Sequence, residues 1–397
     1  MNDDAPHWSA QPPRSASQAT DAIEQGHFVI GMMPSFLCQH DCPHCYLTTA
    51  MRRDPARLSP EAIARILGGV RDYYRSRGLG HVTIHVHHYG GEPTTMGVAA
   101  MLETLDAVDD ALPEREGFIV RHSIQSALTG VDLAPWIPVF RDRCGNYVQT
   151  SYDGLMRGRR YDREWRDQVA CLREAGIDVS TISTINRRLI EDGPDATLRT
   201  LEELDICEAG FLVLLYNAHN EGPAYDRLAP RMQDWSDFMI ALTRAWIDRR
   251  AAGGRPPELG PVHSILWKGG DLRAAHPNPM NLPSALFLLP NGDWALSDYR
   301  SDGREYLRPF ANGLTTTFHD MLQSPARRAF LRKQVLRNGN PECQACDLAD
   351  TCMMEIWKSN VPGDECFGAK RYVQWVHDNA AAIRAAHGTK RVSRSFF

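Results

Sequence analysis

The sequence predicts an α/β fold in which helices flank a parallel sheet, followed by a smaller region that carries cysteines. Strand-like and helix-like patterns alternate from about residue 28 to residue 217, and seven of the ten cysteines fall into two separate groups. Alternation of this kind is typical of βαβ units, in either a barrel or a doubly wound sheet. The 397 residues are enough for two or three domains.

The alternating region follows residues 1–27, which are rich in Ser, Pro, Gln and Asp and are expected to form a mobile arm with one short helix at 18–25. Strands are predicted at 28–33, 81–88, 118–125, 147–152, 178–185 and 210–216. Helices are predicted between them at 59–77, 101–111, 162–175 and 196–207. The first of these helices begins at Ser59, a good N-cap, with Pro60 in its first turn.

The pattern changes after residue 217. A long amphipathic helix is predicted at 232–250, and the Gly- and Pro-rich residues 253–261 are expected to form a connection. Two short strands, 286–289 and 294–296, flank Asn291-Gly292, a strong signal for a two-residue hairpin turn. Helices at 318–337 and 371–386 lie on either side of the second cysteine group.

These patterns divide the chain into five segments. They are the arm (1–27), a core barrel or sheet (28–230), a linker helix and connection (231–284), a cysteine-bearing domain (285–370), and a C-terminal helix and tail (371–397).

Composition and charge exclude several classes of protein. The formal net charge is −5 and the sequence has no basic stripe, so no general attraction for nucleic acid is expected. The apolar runs are far shorter than the ~18–20 residues of a membrane span, and the acidic N-terminus does not resemble a secretory signal. We therefore expect a cytoplasmic protein that binds neither nucleic acid nor membrane. In that compartment, clustered cysteines indicate metal binding or catalysis more often than disulfides.

The first cysteine group has the spacing C-x3-C-x2-C and consists of Cys38, Cys42 and Cys45. This spacing would also place three small core residues on one face of a helix, but Pro43 and the polar residues of the segment favour a loop. A zinc site with a nearby histidine as its fourth ligand is one alternative. Three thiolates on a loop also suit an iron–sulfur cluster with one iron left open.

Together with a second motif, this segment resembles the radical S-adenosylmethionine (radical SAM) enzymes. His44 stands at the aromatic position of the family's C-x3-C-x-φ-C motif. The second motif resembles the family's site for the amino group of SAM, and its residues are Gly90, Gly91, Glu92 and Pro93. The resemblance covers about residues 28–217 and implies a partial (β/α)6 barrel. It also implies a [4Fe–4S] cluster on the three cysteines, with SAM on the fourth iron. The implied reaction is reductive cleavage of SAM to a 5′-deoxyadenosyl radical that abstracts a substrate hydrogen atom.

Two further cofactor-binding residues depend on the same resemblance. Residues 147–154 resemble the S-x-D-G segment of the family's fourth strand, which implies that Ser151 contacts SAM. An arginine about a dozen residues later often assists, and Arg163 occupies that place. A solvated charge on a helix is the alternative interpretation of Arg163.

The second predicted strand alternates strictly, so that Thr83, His85 and His87 lie on the face opposite its Val and Ile residues. In a barrel this polar face points into the lumen. We therefore take His85 and His87 as candidate catalytic residues, together with Tyr216 after the last strand. Structural histidines bonded to the backbone are the alternative.

The second cysteine group has the spacing C-x2-C-x5-C-x13-C. A structural zinc site is the generic interpretation. After a radical SAM core, however, the pattern resembles a SPASM/twitch-like extension, whose opening hairpin corresponds to Asn291-Gly292. Full SPASM domains use seven cysteines for two clusters, but here no cysteine lies between Cys207 and Cys343, and Ile356 replaces another. The resemblance therefore implies one auxiliary [4Fe–4S] cluster, for electron relay or structure. Its implied ligands are Cys343, Cys346, Cys352 and Cys366.

The remaining cysteines, Cys144, Cys171 and Cys207, are interpreted as packing residues. Cys144 is also a candidate thiol donor of a hydrogen atom to a substrate radical.

The implied function is modification of a peptide or natural-product intermediate by crosslinking, epimerisation or oxidation. An electron donor such as flavodoxin or ferredoxin is the implied partner. The first alternative is a radical SAM dehydrogenase or epimerase of a small molecule such as a sugar or nucleoside. An alternative of another class is a zinc-stapled binding protein without catalysis.

Overall fold

The structure is a computed structural model that describes residues 22–214, 223–266, 285–297, 307–336, 339–348 and 361–387. Its strands are β1 (His27–Met32), β2 (Val82–His88), β3 (Phe118–Ile124), β4 (Tyr147–Ser151), β5 (Asp178–Ile185), β6 (Glu208–Val213), β7 (Glu258–Leu259), β8 (Ala285–Leu288), β9 (Asp293–Ser297) and β10 (Leu307–Asn312). Its first helices are α1 (Thr49–Arg53), α2 (Pro60–Ser76), α3 (Val98–Ala111), α4 (Ile137–Asp142), α5 (Arg159–Glu174), α6 (Arg187–Asp192), α7 (Pro194–Glu203) and α8 (Pro223–Leu228). The later helices are α9 (Met232–Ala251), α10 (Gly260–Leu266), α11 (Phe318–Leu322), α12 (Pro325–Val335), α13 (Pro341–Gln344), α14 (Lys370–Asp378) and α15 (Ala380–His387).

Strands β1 to β6 follow one another in sequence order, with helices between them, and the short β7 extends the series. β1, β2 and β3 pair in parallel, as do β4, β5, β6 and the short β7. A parallel bridge between Gln125 and Gln149 joins the two sets. This order agrees with the predicted partial (β/α)6 barrel, and it brings the carboxyl ends of the strands to one end of the sheet.

The two faces of β2 divide as the alternation predicts. Val82, Ile84 and Val86 are buried in the same apolar core as Leu67 and Val70 of α2. Because successive side chains of a strand point to opposite faces, the polar residues of β2 that alternate with them lie on the inner face. The predicted polar lumen is therefore confirmed for this strand.

The hairpin predicted around Asn291-Gly292 is also present, but its loop has three residues instead of two. The Gly292 amide donates to the Leu289 carbonyl, and the Leu289 amide donates to the Asp293 carbonyl, each at 2.9 Å. Gly292 has a φ of 81°, a left-handed conformation that glycine adopts readily, between the antiparallel strands β8 and β9. β8 pairs in parallel with β1, with Ala285 opposite Val29. The hairpin thus extends the sheet that contains the first strand, and Leu286 shares an apolar core with Ile30.

The C-terminal helices pack on α9. Trp235 of α9 contacts Tyr372 of α14 edge to face, with ring centroids 5.8 Å apart, and Ile383 of α15 lies in the same buried cluster. None of the helices in the described ranges is long and apolar enough to cross a membrane.

Several predicted boundaries differ from those of the structure, for local reasons. The helix predicted at 318–337 is two helices, because Pro325 cannot continue the hydrogen-bond pattern of α11. The helix predicted at 371–386 is also two, α14 and α15. α14 ends at Asn379, whose side chain donates to the carbonyl of Trp375. The connection predicted at 253–261 contains β7 and the start of α10.

The described end of the predicted N-terminal arm packs on the core. Residues 22–26 form a turn, and Ile23 is fully buried, with its carbonyl accepting a hydrogen bond from Tyr74. The first half of the helix predicted at 18–25 lies outside the described residues, so this helix stays a prediction. The rest of the arm lies outside the described residues, as do Tyr216, Cys352 and Ile356.

Candidate active site

The first cysteine group lies on a loop between β1 and α1, residues 36–48, which we call the cysteine loop. Its three thiols are partly exposed. α1 holds the loop through Arg52, whose carbonyl accepts a hydrogen bond from the amide of Cys38 at 3.0 Å. The Arg52 guanidinium donates to the carbonyl of His40 and to the carboxylate of Asp41, the latter at 2.7 Å. These contacts fasten the cysteine loop to α1.

Burial opposes ionisation of the thiols in the cysteine loop. Burial raises the pKa of Cys38 to about 12, and burial also raises the pKa values of Cys42 and Cys45. The amide of His40 donates to the Cys38 sulfur and that of Leu47 to the Cys45 sulfur, each at 3.4 Å. Since metals bind thiolates, loading this site must release protons. Three thiols on one loop, with backbone amides directed at two of them, suit an iron–sulfur cluster.

The glycines after β2 lie directly against the cysteine loop. A Cβ atom on Gly91 would lie 2.2 Å from the carbonyl oxygen of Leu37 and 2.3 Å from that of Phe36, so only glycine fits there. The hydroxyl of Tyr46 donates to the carbonyl of Gly90 at 3.0 Å. The two motifs predicted to bind the cluster and SAM are therefore packed backbone to backbone.

Glu92 has a well-defined structural environment. Its side chain is buried, and its carboxylate accepts hydrogen bonds from the Ser126 hydroxyl, the Ala127 amide and the Thr94 hydroxyl, each at 2.7 Å. These bonds tie the segment after β2 to the segment after β3. The carboxylate thus positions the backbone around Gly91, and a direct contact of Glu92 with SAM stays a prediction.

A buried ion pair joins the end of β4 to the cysteine loop. The Asp153 carboxylate accepts from the Thr184 amide at 2.8 Å and from Arg157 at 2.7 Å. Arg157 also donates to the Tyr161 hydroxyl, and its guanidinium lies 5.1 Å from the centre of that ring. His44 Nε2 is 3.5 Å from Arg157 and 3.7 Å from Asp153. Burial lowers the pKa of His44 to about 4, despite the nearby Asp153 carboxylate.

Two of the arginines that follow β4 lie in different environments. Arg163, the residue singled out from the sequence, is exposed on α5, whereas Arg157 is the one that reaches the cysteine loop. Sequence reasoning missed Arg157, although its position four residues after Asp153 is a typical spacing for an ion pair. Ser151 is the last residue of β4 and is half-buried, close to Asp153 in the chain. Contacts of Ser151 and Arg163 with SAM stay predictions.

His85 and His87 lie on the inner face of β2, and His87 is fixed by hydrogen bonds. His87 Nδ1 lies 2.7 Å from the Ser123 hydroxyl and Nε2 lies 3.2 Å from the amide oxygen of Gln125. An amide oxygen only accepts, so Nε2 carries the proton and Nδ1 accepts from Ser123. Burial lowers the pKa of His87 to about 4, so the ring is neutral. His85 is buried on the same face. Catalytic roles for both histidines stay predictions.

Three of the four cysteines in the second group lie within the described residues. Cys343 belongs to α13, whose N-terminus is capped by the Asn340 side chain, and Cys346 follows this helix. Cys366 lies just before α14. Burial raises the pKa of Cys366, and the neighbouring Cys346 raises it further. Lys370 donates to the Asp347 carboxylate at 3.2 Å, so the stretches that carry Cys346 and Cys366 lie side by side, which fits a shared cluster.

The isolated cysteines occupy different environments. Cys144 lies in the apolar core, where burial raises its pKa to about 12, as expected of a packing residue. Cys171 is exposed on α5, so its interpretation as a core residue was wrong: the buried face of that helix carries Trp165, Val169 and Leu172. Cys207 is half-buried, just before β6.

Solved structures of proteins that bind AdoMet (S-adenosylmethionine) share this fold. anSMEcpe with bound AdoMet and Cp18Cys peptide matches with a TM-score of 0.67 at 13% identity, over 91% of this chain and 100% of that chain. Streptococcus suis SuiB bound to S-adenosylmethionine matches with a TM-score of 0.55 at 14% identity, over 82% of this chain and 72% of that one. No protein-family model matches the sequence, and no curated protein matches it.

The fold of this chain is therefore an α/β fold with a parallel sheet core, as in those solved structures. More particularly, it is the fold of the radical SAM enzymes that carry a C-terminal SPASM domain. The resemblance inferred from the two motifs is thereby confirmed at the level of the fold.

Proposed function

We propose that this protein is a radical SAM enzyme in which Cys38, Cys42 and Cys45 hold a [4Fe–4S] cluster and SAM binds beside it. One observation carries the proposal: the cysteine loop and the Gly90-Gly91 segment are packed together at the carboxyl ends of β1 and β2. In parallel α/β sheets this is the end where ligands bind. AdoMet-bound structures with the same fold support it.

The chain's own residues would position and shield the cofactors. When bound, the cluster supplies the electron that cleaves SAM to a 5′-deoxyadenosyl radical. Arg52 and Tyr46 fix the cysteine loop, and Gly91 lets the backbone approach closely. Burial lowers the pKa of His87 to about 4, so this side chain of the inner wall adds no charge near neutral pH. Such an arrangement orients the reactants and excludes water.

We infer that the second cysteine group holds one auxiliary [4Fe–4S] cluster, with Cys352 as the fourth ligand. The convergence of Cys346 and Cys366 supports this inference. A cluster with four protein ligands has no open iron for a substrate, so we assign it to electron relay or structure.

We further propose that the substrate is a peptide or a natural-product intermediate. The support is that anSMEcpe, which has the same fold, is solved with a bound peptide. A sugar or nucleoside is the alternative substrate. Flavodoxin or ferredoxin as electron donor, and a cytoplasmic location, belong to the same proposal.

The test of SAM cleavage is an anaerobic assay with dithionite. We expect about eight irons per chain, for two four-iron clusters, and formation of 5′-deoxyadenosine from SAM. Cys42→Ala should abolish 5′-deoxyadenosine, whereas the matched control Cys171→Ala, at an exposed position of α5, should retain it. Zinc without iron in the purified protein, or undiminished cleavage by Cys42→Ala, would contradict the proposal.

The substrate class is tested separately, by isotope transfer. Candidate peptides and sugars carrying deuterium are incubated with SAM, and 5′-deoxyadenosine is analysed by mass spectrometry. Deuterium from a peptide alone supports the proposal, and deuterium from a sugar alone supports the alternative.

A further inference from the structure

Three side chains from separate elements converge outside the cysteine sites. They are Glu258 of β7, His263 of α10 and His387, the last residue of α15, and one oxygen and two ring nitrogens among them all lie within 4.8 Å of one another. The two histidine Nε2 atoms are 2.9 Å apart. Glu258 Oε2 is 3.0 Å from His387 Nε2. We call these residues the His–Glu cluster.

The Glu258 carboxylate is buried, and a hydrogen bond from Arg250 fixes its orientation. Glu258 is 3% exposed, and its Oε1 atom accepts a hydrogen bond from Arg250 at 2.6 Å. This contact fixes the carboxylate plane and leaves Oε2 facing the histidines. Within the described residues no group donates a hydrogen bond to Oε2, because its close approach to His387 does not have hydrogen-bond geometry.

A shared proton would explain the close approach of the two histidines but not that of Glu258. One proton shared between the two Nε2 atoms would bond the histidines to each other but would leave the buried Oε2 without a donor. Leaving a buried carboxylate oxygen without a donor is costly. A divalent cation accepts lone pairs from all three atoms at once. Two imidazole nitrogens and one carboxylate oxygen form a donor set that zinc prefers, with a fourth position left for water.

We propose that Glu258, His263 and His387 bind one divalent transition-metal ion of the zinc type. Arg250 is a positioning residue for this site, because it orients the carboxylate through the oxygen that faces away from the ion. Contacts of this kind commonly orient metal ligands.

The place of the cluster in the fold gives the ion a structural role. Glu258 pairs in register with Glu208, the first residue of β6, at the end where the parallel strands begin. The cysteine loop instead follows the carboxyl end of β1, so the ion lies at the opposite end of the sheet from the candidate active site. It would fasten α15, beyond the second cysteine group, to β7 and α10 at the edge of the sheet. Residues at that end of a parallel barrel typically contribute to stability and not to catalysis.

The test uses the full chain with its iron–sulfur clusters reconstituted before zinc is added, so that the cysteines are occupied. We expect about one tightly bound zinc per chain, measured by metal analysis. X-ray absorption at the zinc edge, which does not detect iron, should show Zn–N and Zn–O distances of about 2.0–2.1 Å and no Zn–S distance near 2.3 Å. Absence of bound zinc, or zinc bound to sulfur, overturns the proposal.

Variants then assign the site to these residues. His263→Gln and His387→Gln should each lower the affinity for zinc roughly tenfold or more, with iron content unchanged. The matched control His319→Gln, at an exposed position of α11, should bind zinc like the wild type. A chelator should lower the Tm of the wild type and of His319→Gln but not that of the two site variants. Equal zinc affinity in all four proteins overturns the proposal. If a variant does not fold, the X-ray absorption spectrum of the wild type still shows whether zinc is bound by nitrogen and oxygen or by sulfur.

Discussion

The two cysteine groups are held by contacts of different kinds. The cysteine loop is fixed by α1 through Arg52, by the packed backbone at Gly91, and by the buried pair of Arg157 and Asp153 beside His44. The contacts near the second group are more exposed and therefore weaker. One of them is the ion pair between Lys370 and Asp347, with side-chain exposures of 53% and 76%.

This difference indicates how each site depends on its metal. A ligand set positioned by buried tertiary contacts keeps its geometry without the metal, whereas ligands on exposed turns gain their order from metal binding. We therefore expect the cysteine loop to be formed before iron binds and the second group to be completed by iron. A substitution in one region should therefore lower its stability or iron content and leave the other region unchanged.

The largest expected effect is that of Arg157→Gln. Asp153 is 2% exposed, and removing its guanidinium partner leaves a buried carboxylate uncompensated. Such a change costs about 3–5 kcal/mol of unfolding free energy. Urea denaturation measures it. The matched control Arg163→Gln, exposed on α5, should stay within about 0.5 kcal/mol of the wild type. Equal stability of the two variants would show that the ion pair does not hold this region.

The second prediction concerns acid stability. The pKa of His87 is lowered to about 4 by burial, below the ordinary value of about 6.5 that it regains on unfolding. Between these values the unfolded chain binds a proton that the folded chain does not. The unfolding free energy therefore falls as the pH is lowered from about 6.5 to about 4, by up to about 3 kcal/mol, and His87 contributes no further loss below that.

The substitution His87→Gln isolates this contribution. It should make the loss of stability with decreasing pH shallower, because one buried group no longer gains a proton on unfolding. Urea titrations across that pH range measure the slope. The same change at the exposed His81, just before β2, serves as the control. An unchanged slope in His87→Gln would mean that the ring is not held neutral.

Gly91→Ala is the third prediction and acts on the backbone contact. The new Cβ atom would lie 2.2 Å from the Leu37 carbonyl, so the cysteine loop must shift. Overpacking of this kind costs about 1–3 kcal/mol. SAM cleavage should fall roughly tenfold or more, because displacing bound reactants is costly for the rate.

The control for Gly91→Ala is Gly69→Ala on α2. Nothing lies within 4 Å of a Cβ atom at Gly69, so the protein should be stabilised by up to about 1 kcal/mol through helix propensity. Iron at the second cysteine group should be unchanged in both variants. Full SAM cleavage by Gly91→Ala would contradict the close packing of the two motifs.

Local patterns predicted much of this fold. The alternation along β2 identified its outward apolar face, and Asn291-Gly292 identified the hairpin, because each signal is complete within a few residues. The same holds for the spacing of the cysteine loop. A helical pattern without a buried partner is less informative, and Cys171 was assigned to the core although its side of α5 faces solvent.

Long-range contacts could not be predicted in this way. The parallel pairing of β8 with β1 joins residues more than two hundred positions apart, and no local residue pattern signals it. Arg157 lies in a short helical turn before α5, and its role depends on the burial of Asp153. The His–Glu cluster joins β7, α10 and α15, where the sequence indicated only a connection and a C-terminal helix.

The smallest predicted effect tests the second region through Asp364. Its carboxylate accepts hydrogen bonds from the amides of Met232 and Gln233, each at 2.9 Å, and so caps the N-terminus of α9 from a distant part of the chain. Asp364→Ala should cost about 1 kcal/mol, as the loss of a cap with a favourable charge does. Cys366 lies two residues further on, so iron at the auxiliary site should fall while SAM cleavage persists.

Asp347→Ala is the control for Asp364→Ala, because the partner of Asp347 is Lys370, in an exposed ion pair that should contribute no measurable stability. Iron content and electron paramagnetic resonance of the reduced protein separate the two clusters. If Asp364→Ala lowers the iron content of both clusters equally, the second region is not independent of the first. The cysteine loop must then depend on α9 as well. If it lowers neither, the cap stabilises α9 without ordering the segment that carries Cys366.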